Sequence, residues 1–313
     1  MADKRMDSVL DDVLISLAAD DPYLVVLHAD VAGTRLPGFS QVYPERSINL
    51  GMSEQDLVAT GAGMAAAGKS VWLFSSSSRL LGRGYDALRT AIAVPGLPVR
   101  IVAASGGLSA GEEGAEAQML EDLALMRGLP GVAVEVPCDG ASAEVLFRRM
   151  ADSHVPVFFR LCGEALPDLY TSSDVAETCM SSSPLVQGTG VTICACGIMV
   201  HEALHATSIL AQQDISAEVV DCHSVKPLSE RAILGSVHRT GCCVVAEEHG
   251  AGGGLGEAVS ALLSCRYPVP IRFVSVAGRP GQSGVPGELR EYYGLTYQHV
   301  VSAAVEAWTM RRR

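Results

Sequence analysis

The sequence is short of positive charge and contains no C-x-x-C motif. Its 23 lysine and arginine residues stand against 35 aspartate and glutamate residues, which gives a net charge of −12. An acidic chain repels a polyphosphate backbone on average, so nucleic acid is not expected as a partner. The nine cysteines include no C-x-x-C pair, and residues 1–10 do not resemble an apolar secretory leader. These absences predict a reduced, cytoplasmic protein.

Long hydrophobic runs are also missing. Apolar stretches such as 191–200 are far shorter than the roughly 18 residues that a membrane helix requires. We therefore expect neither a membrane span nor a membrane anchor.

Apolar runs of strand length alternate with amphipathic stretches along the whole chain. They occupy residues 24–27, 71–74, 99–104, 132–136, 155–161, 191–196, 217–222, 242–247 and 271–276. Strands buried on both faces and separated by helices are typical of a parallel sheet covered by helices. The sequence therefore predicts the α/β class with two domains, at 1–165 and 187–313. Residues 166–186, rich in Ser, Thr and Pro, are predicted to form the linker.

Two formal motif matches are rejected on their context. Gly63 to Ser70 satisfies the phosphate-loop pattern, but the predicted helix precedes the loop and the predicted strand follows it, which is the reverse of what that site needs. A helix that ends at Gly68 is the better interpretation. His201-Glu202-Ala203-Leu204-His205 matches the H-E-x-x-H zinc pattern, but no third ligand follows at a known spacing. A solvated helical face is favoured there.

A more informative segment surrounds Glu54. The residues Gly51-Met-Ser-Glu54-Gln-Asp56 place a carboxylate in the first turn of a helix, directly after a flexible glycine. Part of this pattern has a simple alternative explanation, because Ser53 and Asp56 could form a capping box.

The motifs that accompany this segment occur in a recognisable order. They are Gly63-Met-Ala-Ala-Ala-Gly68-Lys, Arg83-Gly-Tyr85-Asp86, Gly107-Leu-Ser-Ala-Gly111-Glu-Glu-Gly114 and Gln118-Met-Leu-Glu121-Asp122. Later motifs are Gly197-Ile-Met-Val-His-Glu-Ala-Leu204, Val220-Asp-Cys-His223-Ser-Val-Lys226-Pro-Leu228 and Glu247-Glu-His249 with Gly252-Gly-Gly-Leu-Gly256. Together they resemble the pyrimidine-binding and C-terminal domains of the transketolase family. No G-D-G followed by Asn occurs, so the domain that holds magnesium and the diphosphate in this family is absent, and the chain resembles the second chain of a split transketolase.

The resemblance implies thiamine diphosphate bound between two polypeptides. The partner, a diphosphate-binding chain of transketolase N-terminal type, would hold the diphosphate and the Mg²⁺ or Ca²⁺ ion, and the simplest assembly has two copies of each chain. Glu54 matches the family's essential glutamate, which shares a proton with the aminopyrimidine ring. Asp30 and Met52 are implied neighbours of the cofactor. Arg160 matches an arginine that contacts substrate phosphate, with a surface ion pair as the alternative.

The sequence departs from the family at the cofactor's aromatic contact. The family's stacking Phe corresponds to Leu80, and Ser77 stands where another Phe is common. An aromatic pair contributes roughly 0.5 to 1.5 kcal/mol beyond its buried area, so we expect weaker cofactor binding unless Phe74 substitutes.

The residues expected to contact the substrate differ further from the family pattern. The family's G-E-D-G-x-T-H-Q reads Gly111-Glu-Glu113-Gly-Ala-Glu116-Ala117-Gln118, and Ser105 replaces another family histidine. Glu113, Glu116 and Ser105 are therefore expected to line a rebuilt pocket for a small ketose or 2-oxo acid.

Three functions remain open at this point. The favoured one is transfer of a two-carbon ketol unit, in a specialised biosynthetic pathway or elsewhere in carbohydrate metabolism. The alternatives are a 2-oxo acid dehydrogenase-like β subunit that passes an acyl or ketol unit to a carrier thiol, and a non-catalytic scaffold.

Overall fold

A computed structural model describes residues 4–30, 36–170 and 184–311. The strands are β1 Lys4–Arg5, β2 Leu24–His28, β3 Ser47–Asn49, β4 Ser70–Ser76, β5 Arg100–Ala104, β6 Ala133–Glu135, β7 Val157–Arg160, β8 Ala165–Leu166, β9 Val191–Ala195, β10 Ala217–Asp221, β11 Ser224–Lys226, β12 Cys243–Gly250 and β13 Ile271–Val276. The α-helices are α1 Met6–Asp20, α2 Pro37–Val42, α3 Glu54–Ala66, α4 Ser77–Ala87, α5 Asp122–Gly128, α6 Gly140–Met150, α7 Met199–Ala211, α8 Glu230–Thr240, α9 Leu255–Arg266, α10 Pro286–Tyr293 and α11 Tyr297–Met310.

The strands form two main sheets. The larger has seven strands in the order β11-β6-β7-β5-β4-β2-β3, and the smaller has the parallel order β10-β9-β12-β13. Each of the nine predicted strands is present, and the predicted α/β class with two domains is confirmed. The prediction missed the short strands β3 and β11 and the small β1-β8 pair, because each is too short to show a pattern.

Strand β11 connects the two halves of the chain. It belongs to the second half but pairs antiparallel with β6 of the first sheet, with Ser224 opposite Glu135 and Lys226 opposite Val134. The two predicted domains therefore share a sheet edge. The exact limits of the predicted linker stay a prediction, since residues 171–183 lie outside the described residues.

The core lies on both faces of the larger sheet. On one face, Trp72 stacks on Phe159 at 5.9 Å between ring centroids, and Phe147 packs edge-on against Phe159 at 5.0 Å. On the other face, α3 approaches β4 closely, because a Cβ at Gly61 would lie 2.5 Å from Leu73 Cδ2. Gly61 therefore permits close packing of α3 on β4, whereas a Cβ at Gly63 would meet nothing within 4 Å.

The phosphate-loop match is a helix end. Helix α3 stops at Ala66, Gly68 adopts a left-handed φ of +88°, and β4 starts at Ser70. This confirms the predicted order of helix before strand.

The residues of the H-E-x-x-H match contact protein groups. His201 Nε2 lies 2.8 Å from the Cys138 carbonyl oxygen, and the Glu202 carboxylate accepts a hydrogen bond of 2.6 Å from the Tyr297 backbone at the start of α11. The His205 ring lies 3.8 Å from the Tyr297 ring. The motif thus holds α7 against α11.

No helix in the described part of the chain combines the length and apolar character that a membrane crossing would require.

Candidate cofactor and substrate site

The candidate site is built at one edge of the larger sheet. Strands β2, β4, β5 and β7 are parallel, so their carboxyl ends meet at this edge. In open α/β sheets, ligands bind outside the carboxyl ends of the strands. The residues predicted from the sequence follow these strand ends.

Glu54 is the first residue of α3, and its side chain is only 1% exposed. Neither of its carboxylate oxygens has a hydrogen-bond partner among the described residues. The alternative capping box is not formed, because the Ser53 side chain makes no cap hydrogen bond. Burial of a polar group without a partner is costly, so this carboxylate fits a site that an external donor completes.

The loop before Glu54 is held against the end of β2. The Asp30 backbone N–H donates to the Gly51 carbonyl oxygen at 3.0 Å, and Gly51 adopts a left-handed φ of +69°. Asp30 and Met52, both exposed and both predicted to contact the cofactor, therefore lie on the strand end and loop that lead to Glu54.

The two apolar contacts predicted for the cofactor are enclosed in the core. Leu80 is 0% exposed, and Phe74 is 1% exposed in the cluster on the opposite face of the sheet. Arg79, in contrast, is partly exposed, and its Nη1 lies 3.9 Å from Met52 Sδ. Cofactor contacts from Leu80 and Phe74 stay predictions, and their burial does not favour them.

A run of serines joins β4 to α4 at the same edge. The Ser77 hydroxyl donates to Asp122 at 3.0 Å. The hydroxyls of Ser75, Ser76 and Ser78 are buried and have no hydrogen-bond partner among the described residues. Such groups are stabilised when a polar ligand binds beside them.

Arg160 lies at the end of β7, as predicted, but its guanidinium is enclosed. It is 5% exposed, its Nε donates to Asp122 at 2.8 Å, and its Nη2 donates to the Glu248 carbonyl oxygen at 2.7 Å. Its Nη1 lies 4.0 Å from the Glu248 carboxylate. This network joins β7 and α5 of the first domain to β12 of the second. A substrate-phosphate role for Arg160 stays a prediction that these contacts do not favour.

Burial and the neighbouring charges together set the pKa values of the groups in this network. Burial alone lowers the pKa of Arg160, but the charges of Asp122 and Glu248 outweigh it, so the pKa of Arg160 is raised. Burial raises the pKa of Glu248 to about 7, although Arg160 opposes the shift. Glu248 therefore gains or loses its proton near neutral pH.

Two glycine-containing motifs next to this network, at Gly107 and at residues 247–256, have structural roles. Gly107 has a φ of +67°, and a Cβ there would collide with the Glu248 carboxylate. Glu247 accepts hydrogen bonds from the backbones of Leu255 at 2.6 Å and Gly256 at 2.8 Å, which satisfies the start of α9. Gly107 thus packs against Glu248 across the domain contact, whereas the hydrogen bonds of Glu247 lie within the second domain.

Glu113 and Glu116 line one cavity of about 310 Å³. The remaining lining residues are Ala117 from the same loop and Ser78, Arg79, Gly82 and Arg83 from α4. Ser105 does not line it. Ser105 follows β5 with a left-handed φ of 55°, and its Oγ would be 3.1 Å from a Cβ at Gly163. The structure thus brings together two of the three predicted pocket residues.

Sequence reasoning missed the roles of Asp122, Glu248 and Arg79. Asp122 and Glu248 stand inside quoted motifs, but their pairing with Arg160 depends on how the domains pack. Arg79 precedes the predicted Leu80, and only the helix orientation decides which of the two faces the cavity.

Comparison with known proteins identifies the family. Models of the transketolase pyrimidine-binding domain and the transketolase C-terminal domain match residues 3–168 and 182–300. The chain is 37% identical to the "6-deoxy-6-sulfo-D-fructose transketolase subunit" of Clostridium sp., over 94% of this chain and 92% of that one. It is 32% identical to one subunit of the "Apulose-4-phosphate transketolase" of Phocaeicola vulgatus, over 94% of this chain and 95% of that one. A solved "Split gene transketolase, inactive beta4 tetramer" is 35% identical and superposes with a TM-score of 0.88, covering 99% of this chain and 100% of that one. The chain therefore belongs to the transketolase family and contains its pyrimidine-binding domain followed by its C-terminal domain.

Proposed function

We propose that the chain is the pyrimidine-binding subunit of a two-chain, thiamine diphosphate-dependent enzyme that transfers a two-carbon ketol unit. The observation that carries the proposal is the buried Glu54 carboxylate, whose two oxygens have no partner among the described residues. The ring nitrogen of an aminopyrimidine is a matching partner, because it accepts a hydrogen bond from the protonated carboxyl and donates one to the carboxylate when it carries the proton itself.

The residues at the strand ends fit the cofactor. When bound, thiamine diphosphate supplies the carbon nucleophile that accepts and releases the ketol unit. Glu54 would hold a proton between its carboxylate and the ring nitrogen. Its 1% exposure excludes water from that hydrogen bond, which strengthens it.

We propose that a second chain completes the cofactor site. The Clostridium and Phocaeicola relatives are named as transketolase subunits, which supports a partner of transketolase N-terminal type that would hold the diphosphate and its Mg²⁺ or Ca²⁺ ion. We propose an assembly with two copies of each chain. Sedimentation of the purified complex as one copy of each would contradict this stoichiometry.

The names of the relatives favour ketol transfer over the alternatives. The Clostridium and Phocaeicola relatives, both more than 30% identical, are named as transketolase subunits, and neither name refers to a 2-oxo acid dehydrogenase. Glu113 and Glu116 are proposed to accept hydrogen bonds from substrate hydroxyls, since both line the cavity next to α4.

The test is Glu54→Gln in the assembled complex. The substitution keeps the shape and removes the carboxyl group that gives up and takes back a proton, so we expect kcat to fall by roughly 100-fold or more with assembly unchanged. Asp56→Asn is the matched control, because it removes one carboxylate from an exposed position in the same helical turn. Equal activity of the Glu54→Gln complex and the wild type would exclude the proposed role.

A further inference from the structure

The smaller sheet ends in a strand whose outer edge is open. Within the part of the chain that the structure describes, β13 pairs with β12 alone. The Pro270 carbonyl oxygen accepts a hydrogen bond of 2.9 Å from the Cys243 N–H. Because the backbone groups of successive strand residues point to opposite sides, those of Phe273 and Ser275 point away from β12. Such an edge offers N–H and C=O groups that can pair with another extended chain.

A cavity of about 390 Å³ follows this open edge. Residues 272–275 all line it, although their side chains alternate between the two faces of the sheet, so one wall of the cavity is the strand edge itself. Other parts of the wall come from α11 and from Arg279 and Tyr292. The space therefore lies directly beside the backbone with which an added strand would pair.

The start of the edge is protected by the chain itself. Pro270 precedes the strand, and Arg272 Nη1 donates to the Ile271 carbonyl oxygen at 3.0 Å. Arg272 Nε is in turn paired with Glu306 at 2.9 Å. Proline and charged side chains are common means by which proteins keep strand edges from unwanted pairing. Residues 273–275 have no such protection among the described residues, so the open part of the edge is short and defined.

The cavity beside the edge has a free cation. The chain carries a net charge of −12, yet this cavity is lined by Arg272 and Arg279 and by one carboxylate, Glu306, which already pairs with Arg272. Arg279 is exposed and forms no ion pair in the described part of the chain. Its guanidinium donates to the Tyr292 carbonyl oxygen at 3.4 Å and lies 5.1 Å from the centre of the Tyr292 ring. A ligand with carboxylates would supply the missing partner of Arg279.

From this arrangement we infer that residues 273–275 bind an extended acidic segment of a partner protein, which adds to the smaller sheet as a new edge strand. Main-chain hydrogen bonds supply affinity in this mode of recognition, and Arg279 and the exposed ring of Tyr292 select the side chains. A second copy of the chain fits less well, because its β13 contains Arg272 and no carboxylate. The inference is independent of the proposed function, since no residue of this cavity belongs to the candidate cofactor and substrate site.

The test measures the binding of labelled peptides to the full chain by fluorescence anisotropy. The probe is a peptide with blocked ends that alternates threonine, which favours extended structure, with glutamate. The comparison peptide has glutamine in place of glutamate. We expect the acidic peptide to bind roughly tenfold more tightly than the glutamine peptide, because only the acidic peptide offers carboxylates to Arg279.

Two variants of Ser275 test the strand pairing. Ser275→Pro removes an N–H that points to the open edge and leaves the hydrogen bonds to β12 in place. Ser275→Ala is the matched control, because it keeps that N–H and removes only the hydroxyl. We expect Ser275→Pro to weaken binding of the acidic peptide by roughly tenfold or more, and Ser275→Ala to change it by less than about twofold.

A variant of Arg279 tests the choice of side chains. Arg279→Gln should make the two peptides bind about equally, and it keeps the test decisive if Ser275→Pro does not fold. Arg231→Gln is the control, since Arg231 is exposed on α8 and does not line this cavity.

Three results would overturn the inference. The first is no binding of the acidic peptide by the wild type up to about 1 mM. The second is binding that Arg279→Gln removes and a folded Ser275→Pro variant preserves, which would show a charged patch without strand pairing. The third is sedimentation in which Ser275→Pro, but not Ser275→Ala, loses self-association, which would assign the edge to a second copy of the chain.

Discussion

Neutralising Glu135 should remove a large part of the pH dependence of stability. Glu135 is 1% exposed at the sheet edge where β6 meets β11, and burial raises its pKa from 4.5 to about 7, against the opposing charge of His223. One carboxylate oxygen accepts from the Ser224 hydroxyl at 3.2 Å, and the other has no partner among the described residues.

The sign follows from proton binding. Between pH 4.5 and about 7 the folded chain keeps a proton on Glu135 that the unfolded chain has lost, so the free energy of unfolding falls as pH rises through this window. The loss is complete above the folded pKa. The shift in the pKa of Glu135 from 4.5 to about 7 lowers the free energy of unfolding by about 3 kcal/mol at high pH. About 2 kcal/mol of this decrease occurs between about pH 5 and about pH 8.

The assay is urea unfolding of wild type and Glu135→Gln at about pH 5 and about pH 8. We expect the difference in unfolding free energy between the two pH values to shrink by about 2 kcal/mol in the variant. The remaining slope comes from groups such as Glu248, whose pKa is also raised by burial. Glu144→Gln on the exposed face of α6 is the control. Identical pH slopes in wild type and Glu135→Gln would refute the reasoning.

Three further predictions concern the domain contact and the reaction. Arg160→Met leaves Asp122 and Glu248 buried without their cation, so the free energy of unfolding should fall by about 3–5 kcal/mol. Thermal unfolding measures this change, and an unchanged Tm would contradict the ion-pair argument. Gly107→Ala places a Cβ against Glu248 at positive φ and should lower the free energy of unfolding by about 2 kcal/mol or more. Gly128→Ala is the control, because a Cβ there meets nothing within 4 Å, and it should lower the free energy of unfolding by less than about 1 kcal/mol. Equal effects of the two substitutions would exclude the clash. Labelled hydroxypyruvate should pass its two-carbon unit to an aldose acceptor in the complex, and carbon dioxide release from pyruvate alone would favour the 2-oxo acid alternative.

The sequence was sufficient for the fold because the long strands are continuous apolar runs. Strands such as Leu24–His28 and Val191–Ala195 are buried at every position, and this pattern is visible without a structure. Strand Ser224–Lys226 was missed because its pairing with β6 joins residues about 90 positions apart, which no local pattern records.

The candidate site was predictable only in part. Glu54 was singled out by its motif, and its burial without a hydrogen-bond partner among the described residues supports the role proposed for it. Leu80 and Arg79 are neighbours in sequence, and a helix turns them by about 100° relative to each other, so one is in the core and the other lines the cavity. Arg160 carries the expected chemistry, but the packing of the second domain encloses it.

The most direct test of the account is isolation of the chain from its native host with whatever copurifies, followed by assay of the complex for thiamine diphosphate. The account predicts a partner of transketolase N-terminal type and one cofactor molecule for each pair of chains. A chain that purifies alone and without cofactor would contradict it.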